Sequence, residues 1–467
     1  MARKPKHRLN QARSDSQQNL QIDAAEPGEG KRRRVAARIQ SLDDLLTPPK
    51  RTRVTASTRF LDHNFAIAAW AIRRHLDYIS IFNFQPRSGD DALDRDLAEM
   101  VADWSRPDNW DAGGRHSRSA FLRILEGRSV IDGDCGVYKL DDFTVQGVEG
   151  DRIRQPAIDT VKRLRLEPQE WKHGVRIDRR NRAVAYAVHS RSAWGGYTLE
   201  QIVPARLMHL VGYFTGFDQR RGSSPLMSAV NSFQDVYESL DMALIKQKVA
   251  QILALVTYRD DAGSMGHRDD VIDFSAGPVH LNFDHDDKAE IIESRNPSSE
   301  TQAFWITVIQ IALKSLDLPF SFYDESFTNF FGSRAAFIHY ERSARSKRDR
   351  LENLLDQLTA WRLAGWYLTG DLVLPRSIPL SSIDWQWTPL GTEWWNPVQE
   401  ITADVAAIEA GLMTRAEVRK KRFGDDWRPV AAALGEEQRW LEEHGVATSF
   451  AAKTELMEMI HAENASQ

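Results

Sequence analysis

A long helical pattern preceded by an aromatic loop constrains the fold of this chain more than any other segment. The loop, residues 319–332, reads PFSFYDESFTNFFG, and Gly332 and Ser333 open a helical pattern that continues to about Tyr367. A helix of about 35 residues is about 50 Å long, which exceeds what a small domain needs. Its centre, ERSARSKRDR at 341–350, is polar on nearly every side. The sequence therefore predicts that this central part of the helix is not buried within one subunit.

The composition is that of an ordinary globular protein. The chain has 467 residues, of which 42% are hydrophobic and 27% charged, enough for two to four packed units. The longest apolar run, VAQILALVT at 249–257, has about half the length of a membrane span, and the N-terminus lacks a signal-peptide pattern. Cys135 is the single cysteine, so an intrachain disulfide is excluded. We expect neither secretion nor membrane insertion.

The net charge is distributed unevenly along the chain. Residues 1–56 carry 13 Lys and Arg against 6 Asp and Glu, and the whole chain carries −5, which leaves −12 for the other 411 residues. The segment lacks periodicity and includes KRRR at 31–34, so it is expected to be a disordered basic arm. Such an arm either binds an anionic partner or serves as a solubilising tail.

Hydrophobic periodicity divides the rest of the chain into helical and strand-rich parts. Helices are expected from Thr58, at 92–106 and 117–131, and then, after a group of short strands, for about 30 residues from Pro225 and from Asn296 to about Leu318. The expected strands are 135–140, 144–153, 174–190 with a hairpin turn at 178–182, and 205–214. Two further strands, 278–283 and 289–294, are joined by the acidic turn DHDD, and two or three C-terminal helices are expected, at about 397–410, 414–423 and 434–444.

The chain offers little that resembles a catalytic or metal site. GDCG at 133–136 is similar to the nucleophile turn of some cysteine proteases, but the preceding chain is helical, so a core thiol is favoured. DHDD at 284–287 lacks the ligand spacing of a calcium loop. No HExxH or GxxxxGK[ST] pattern is present. The Trp-rich stretch, 369–396, suits packing or base stacking. We predict no enzyme activity, no catalytic residue, no metal and no cofactor.

Several blocks in order resemble the lambda-type family of tailed-phage portal proteins, over roughly residues 58–445. The blocks are DHNFAIAAWAIRRHLD, LRILEGRSVIDGDCGVYKL with VQGVEGDRIR, RIDRRNRAVAYAVH, VPARLMHLVGYFTGFDQRRGSSPLM and LKSLDLPFSFYDESFTNFFGSRAAF. The matching positions are Glu149, Asp151, Arg152, Arg182, Ala185, Tyr186, Pro204, Gln219, Arg221, Gly222, Pro225, Leu318, Pro319, Asn329, Ser333, Arg334 and Ala335. The sequence departs from the family at Phe330, Phe331 and Gly332, where tyrosine and serine are usual.

The resemblance implies an α+β, predominantly helical fold and a ring, typically of twelve subunits, at one capsid vertex. The implied parts are the wing at 57–224, stem helices at 225–256 and 297–318, the clip at 257–296, the tunnel loop at 319–332, a long wing helix at 333–368, the helical crown at 397–445 and a polar tail at 446–467. Double-stranded DNA would pass through without sequence readout. Further implied partners are the large terminase subunit, the major capsid or scaffold protein and head-tail connector proteins. The location would be the virion, and the host cytoplasm during assembly.

Candidate functional residues follow from this layout. The residues expected to face DNA at the tunnel loop are Phe320, Phe322, Tyr323, Phe327, Asn329, Phe330 and Phe331. Lys246 and Lys248 are candidate weak contacts to the DNA backbone, with solvent exposure or inter-subunit pairing as the alternative. Candidate terminase contacts in the clip are His280, Asn282, Asp284, His285, Asp286 and Asp287.

Three other functions remain open from the sequence. The chain could be a nucleic-acid-associated enzyme with a cryptic site, for which Cys135→Ala would abolish activity. It could be an oligomeric scaffold that does not bind DNA. It could also be a prophage-derived portal remodelled for another particle.

Overall fold

The protein, described by a computed structural model, is an α+β fold in which helices predominate. The structure describes residues 39–163, 170–252, 256–259, 287–290, 299–324, 326, 330–376, 378–392, 394 and 396–445. These residues form two compact units. The first unit draws on the described residues within Met1–Leu76, Ile124–Lys139 and Gly147–Ser343, and the second on those within Asp77–Arg123, Leu140–Gln146 and Ala344–Gln467. The predicted fold class is confirmed.

The helices are numbered here in chain order. They are α1 Leu42–Leu45, α2 Pro48–Asn64, α3 Ala66–Ile79, α4 Asp91–Trp104, α5 Pro107–Trp110, α6 Arg118–Asp132, α7 Ile158–Arg163, α8 Val230–Ile252, α9 Ser299–Leu313, α10 Phe330–Thr369, α11 Pro397–Glu409, α12 Arg415–Phe423 and α13 Trp427–Glu443. No helix among the described residues is both long enough and apolar enough to cross a membrane.

The strands form four small sheets. They are β1 Phe82–Arg87, β2 Asp134–Lys139, β3 Val145–Glu149, β4 Trp171–Lys172, β5 Val175–Ile177, β6 Ala183–Arg191, β7 Tyr197–Pro204, β8 Met208–Gly212, β9 Val256–Arg259, β10 Asp287–Glu290 and β11 Asp384–Pro389. The sheet orders are β1-β11, β10-β9, β3-β2-β8 and β4-β5-β6-β7. The hairpin predicted around 178–182 is confirmed, because β5 pairs antiparallel with β6 across that turn.

The boundary of the N-terminal arm needs correction. The sequence predicts a disordered segment to residue 56 and a helix from Thr58, but α2 begins at Pro48. Proline is favoured in the first helical turn, where its missing N–H loses no hydrogen bond. Val54 is buried in the core, and the hydroxyl of Thr58 donates to the carbonyl oxygen of Ile131 at 2.8 Å. The segment from Pro48 is therefore part of the first unit, while KRRR lies outside the described residues.

The four-stranded sheet contributes one core of the first unit. Its buried residues come from both sides of the hairpin and from the strands next to it: Val148, Ile153, Val175, Tyr186, Val188, Val203 and Met208. Gly133 adopts a φ of 99°, and a Cβ there would stand 2.8 Å from the backbone of Ser223. Only glycine suits that backbone angle and that close approach. Gly133, just before β2, therefore lets the segment that follows β8 pack directly against its backbone.

The second unit is organised around aromatic side chains. Trp104 and Trp110 are fully buried, with ring centroids 4.5 Å apart. Trp387 of β11 packs against Phe84 of β1 at 5.0 Å, and its Nε1 donates to Thr359 Oγ1 at 3.2 Å. The Trp-rich stretch thus packs within its own unit at Trp387.

The long helix is longer than the sequence indicated. It was expected from Gly332 to about Tyr367, but α10 runs for 40 residues from Phe330 to Thr369. The part up to Ser343 belongs to the first unit and the rest to the second. The helix expected from Pro225 also differs: a 3₁₀ turn at Pro225–Ser228 precedes the 23 residues of α8.

Candidate functional site

Two helices of the first unit, α8 and α9, carry the residues expected to line a channel. The near end of α8 is held in the core by the buried side chains of Val230, Phe233 and Val236. Further along, the indole Nε1 of Trp305 in α9 donates to Ser239 Oγ at 2.7 Å. This contact joins the two helices, and their role as a pair of stem helices stays a prediction.

The far part of α8 changes character. From Asp241 to Lys248 nearly every residue is exposed, including three large apolar ones. Met242 is 68% exposed, and Leu244 and Ile245 are about half exposed. Lys246 and Lys248 are exposed on the same stretch. A solvated helix does not need apolar side chains on several sides, so this part of α8 has the properties of a contact surface.

Three of the predicted loop aromatics are placed against their own chain. Phe320 and Phe322 lie in a 3₁₀ turn, and Tyr323 follows it. Phe322 packs edge-on against Tyr340 of α10 with centroids 5.3 Å apart, and Tyr323 packs against Trp70 of α3 at 5.7 Å. Phe320 and Phe322 are half-buried and Tyr323 is exposed. Their contact with DNA stays a prediction.

The end of the predicted loop differs from the expectation. Phe330 and Phe331 are the first residues of α10 rather than loop residues, because the helix begins two residues before Gly332. Phe327 and Asn329 lie outside the described residues. Ahead of the loop, Asp317 adopts a φ of 60°, and its Oδ2 accepts a 2.7 Å hydrogen bond from Ser343 Oγ in α10. The turn into the loop is therefore attached to the long helix.

Only one of the predicted clip residues, Asp287, lies within the described residues. Asp287 was expected in an acidic turn, but it is the first residue of β10, where it pairs with Arg259 of β9. The segment VTYR of β9 is rich in β-branched and aromatic residues, which favours a strand pair directly after α8. The other candidates, His280, Asn282, Asp284, His285 and Asp286, lie outside the described residues. A role in terminase contact stays a prediction.

The cysteine behaves as a core residue. Cys135 lies on β2 opposite Val211 of β8 and is 3% exposed. Burial, with the charges of Asp132 and Asp134, raises the pKa of its thiol well above the usual value. Reactive cysteines have lowered pKa values and are accessible, so the interpretation of GDCG as a turn with a core thiol is confirmed.

Arg221 forms a buried clamp that the sequence did not reveal. Its Nε and Nη2 bind the two carboxylate oxygens of Asp134 at 2.7 and 2.6 Å. Nη2 also donates to the Gly150 carbonyl oxygen at 2.6 Å, and Nη1 donates to the carbonyl oxygens of Ile153 and His173. Planar guanidinium groups are suited to such multiple bonds. One side chain thereby holds four separate segments of the first unit together.

Beside the clamp lies a cleft of about 360 Å³ whose acidic groups are already paired. Asp132, Glu149 and Asp151 stand close enough together to hold a metal ion. However, Arg59 binds Asp132 through Nε and Nη2 at 2.8 and 2.6 Å, and its Nη2 also reaches Glu149 and Asp151. This arrangement is an ion-pair network.

Asp151 is the carboxylate of that network that accepts the most hydrogen bonds, from Arg59, Arg191 and Tyr197. Burial works against its charge, but hydrogen bonds from Arg191 and Tyr197 and the charge of Arg59 hold its pKa well below the usual range. Burial instead raises the pKa of Asp132. In the sequence, these residues were marked only by the family-like blocks that contain Glu149, Asp151 and Arg221. The role of the three side chains is to hold the strands and α2 in place.

The sequence model of one protein family matches residues 29–348 of the chain, and its description is phage portal protein, lambda family. The chain belongs to the lambda family of phage portal proteins. It is accordingly a portal protein, a component of the connector between the head and the tail of a phage particle. The family expected from the sequence blocks is confirmed, and the match begins and ends earlier than the roughly 58–445 expected.

The solved structures to which the chain is similar include those of gene transfer agent particles. The neck of an empty particle, computed with C6 symmetry, has a TM-score of 0.48 at 13% identity; the virion of the native particle gives 0.44 at 14%. The native neck, computed with C12 symmetry, gives 0.44 at 12%. Each alignment covers 78% of this portal chain and 92% of the other. The TM-scores lie below 0.5, and membership of the portal family rests on the sequence match. No curated protein matches the chain significantly.

Proposed function

We propose that this portal chain forms a homo-oligomeric ring, of twelve subunits as is typical of the family, through which double-stranded DNA is packaged and later ejected. The large terminase subunit docks on the clip during packaging, and head-tail connector proteins replace it afterwards. The ring is part of the virion and assembles in the host cytoplasm with the major capsid or scaffold protein. Its role is mechanical, so no catalytic residue is assigned.

The apolar surface of α8 and α9 is the observation that carries the proposal. Met242 and Ile245 of α8 are exposed, and Phe304 and Ile311 of α9 are each 60% exposed. Each large apolar side chain that leaves water contributes about 1.5–3 kcal/mol. A ring places the same helices of neighbouring copies side by side, which removes this surface from water. A single copy has no such benefit.

The charge of the body suits a channel that DNA slides through. Phosphate contacts dominate the affinity of proteins for DNA, and each lysine or arginine contact strengthens it. The net charge of −12 on residues 57–467 limits adhesion. Lys246 and Lys248 are exposed on α8 and supply at most a few weak contacts per subunit.

Ring formation is tested by negative-stain electron microscopy of the purified full chain. We expect rings with a central hole wide enough for duplex DNA, and their loss in Met242→Glu and Ile245→Glu. Gln247→Glu, which introduces the same charge at a polar position of the same exposed stretch, is the matched control and should leave rings intact. Monomers under all conditions would contradict the proposal.

The contact between the loop and DNA is tested by deletion of residues 322–330. We expect the deleted protein to assemble rings and to lower the amount of DNA packaged per head, because the constriction is lost. Restoring the length with a Gly-Ser linker separates the aromatic contacts from the spacing. Normal packaging in both variants would exclude a role of the loop.

A further inference from the structure

An exposed group of arginine and phenylalanine side chains lies at one end of the four-stranded sheet in the first unit. It consists of Arg179 and Arg180 in the β5–β6 turn, Arg206 in the turn between β7 and β8, and Phe214 and Phe217 in the loop after β8. We call this group the Arg–Phe surface. Phe217 is fully exposed, and Phe214 is 44% exposed.

The β5–β6 turn has a fixed conformation. One carboxylate oxygen of Asp178 accepts hydrogen bonds from the backbone N–H groups of Arg180 and Arg182, at 2.8 and 2.9 Å. The other oxygen accepts from Arg182 Nε at 2.8 Å. Asn181 adopts the left-handed conformation that such a turn requires. Hydrogen bonds from the backbone N–H groups of Arg182 and Arg180 lower the pKa of Asp178, and they outweigh the opposite effect of burial.

The loop after β8 is fixed in a similar way and is attached to that turn. Gln219 Oε1 accepts from the backbone N–H groups of Thr215 and Gly216, at 2.8 and 3.3 Å. Asn181 Nδ2 donates to the carbonyl oxygen of Phe217 at 3.3 Å. The Arg206 turn is anchored to the same sheet by a 2.9 Å bond from Ala205 N–H to the Val184 carbonyl oxygen. The exposed side chains therefore stand on ordered backbone.

The three arginines of the Arg–Phe surface form no ion pair among the residues that the structure describes. Within the described residues, no carboxylate lies within 4.0 Å of the guanidinium nitrogens of Arg179, Arg180 or Arg206. Several other arginines of the first unit do bind a carboxylate, as Arg59 and Arg221 do. Residues 57–467 as a whole carry −12, so this surface opposes the charge of the body that bears it.

Arginine and aromatic side chains together are typical of protein interfaces, where they are enriched and where acidic residues are depleted. A fully exposed phenylalanine on ordered backbone can be buried at an interface without the additional cost of ordering the loop that carries it. The phosphates of duplex DNA would bind the arginines, but the charged DNA backbone offers no apolar surface for Phe217 to pack against. A protein surface with carboxylates around an apolar recess satisfies both kinds of side chain.

We propose that the Arg–Phe surface docks on the next copy of this chain in the ring. The acidic body of that copy supplies the complementary charge. A ring is built from heterologous contacts, in which one face of a subunit meets a different face of its neighbour, so a basic face can meet an acidic one at every contact. The proposal rests on the proposed function, since it assigns a contact within the ring.

Site-specific cross-linking identifies the partner. A photoreactive benzoylphenylalanine is placed at Phe217 in the full chain, and assembled rings are irradiated with and without duplex DNA. We expect a product of two chains whose cross-linked peptide lies in an acidic segment of the second. The same residue at Val373, which is 80% exposed in the second unit, controls for random capture. A product with DNA alone, or no product above that control, would overturn the proposal.

Charge reversal measures the contribution to assembly. Arg180→Glu and Arg206→Glu are expected to raise the protein concentration at half-assembly about tenfold or more, as for interface arginines. Phe217→Ser should do the same without a change of charge. Arg95→Glu is the control, because Arg95 of α4 is exposed and, within the described part of the chain, bonds only to the backbone of its own helix, at Asp91. Thermal unfolding of each variant verifies that it is folded.

The outcomes separate this proposal from the proposed function. If the unmodified chain forms no rings, the proposed function fails. If rings form and the Arg180, Arg206 and Phe217 variants assemble at the same concentration as Arg95→Glu, the docking surface alone is excluded. If the three variants are impaired and the control is not, the surface lies at the contact between copies.

Discussion

Replacing Arg221 with methionine should destabilise the first unit more than replacing any arginine of the neighbouring ion-pair network. Asp134, its partner, is fully buried, and removing one member of a buried pair costs about 3–5 kcal/mol because the remaining charge is left uncompensated. The backbone carbonyls of Gly150, Ile153 and His173 also lose a donor. The Gly150 oxygen keeps the Ile153 N–H at 3.2 Å, and each buried group that is left without any partner adds about 1–3 kcal/mol, part of which local rearrangement recovers. We expect a total loss of at least about 4 kcal/mol.

The assay is urea unfolding followed by circular dichroism and supported by thermal unfolding, for which this loss corresponds to about 8–16 °C. Arg152→Met is the matched control. Its ion pair with Glu200 lies at the surface, with side chains 23% and 46% exposed, and such pairs contribute about 0–1 kcal/mol. A second variant, Arg221→Met with Asp134→Leu, removes both charges and should recover part of the loss. If Arg221→Met were no less stable than Arg152→Met, the clamp would not hold the segments together.

Three further results are expected. Gly365→Ala should cost about 1–3 kcal/mol in thermal unfolding, because a Cβ there would lie 2.2 Å from the ring of Phe143; an unchanged melting temperature would contradict this close packing. Burial lowers the pKa of His209 to about 4, below the unfolded value of about 6.5, so stability should fall as pH drops from about 6.5 towards 4. Between neutral pH and pH 5, the free energy of unfolding of His209→Gln should fall by about 1–2 kcal/mol less than that of the unchanged protein. An NMR titration midpoint near 6.5 for His209 would refute the assignment. Trp305→Phe should lose about 1 kcal/mol in urea unfolding with the bond to Ser239, and no effect would show that this bond does not couple α8 to α9.

Local signals in the sequence were sufficient for elements that are stabilised locally. The helix from Asp91 follows Asp90, whose side chain caps the first turn, and its apolar residues recur with helical spacing. The β5–β6 hairpin has its turn residues adjacent in sequence. In such places the same few residues determine both the pattern and the structure.

Elements held by distant residues could not be predicted in the same way. The segment from Pro48 is polar and lacks a clear apolar period, and its place in the core depends on contacts such as Thr58 to Ile131. Arg59 meets its carboxylates 73 to 92 residues further along the chain. Sequence spacing holds no information about such pairs, so only the resemblance to a family marked Asp151 and Arg221 as special.

The clamp at Arg221 also orders events during synthesis. Asp134 leaves the ribosome 87 residues before Arg221, which at about 5–20 residues per second is a delay of about 4–17 s. Until Arg221 has been made, the carboxylate of Asp134 lacks its partner. Because burying an unpaired charge is costly, the strands around Asp134 are expected to stay exposed to water. The nascent first unit can therefore complete its core only after the segment that follows β8 has been made, and a chain interrupted before Arg221 should be a substrate for chaperones and proteases.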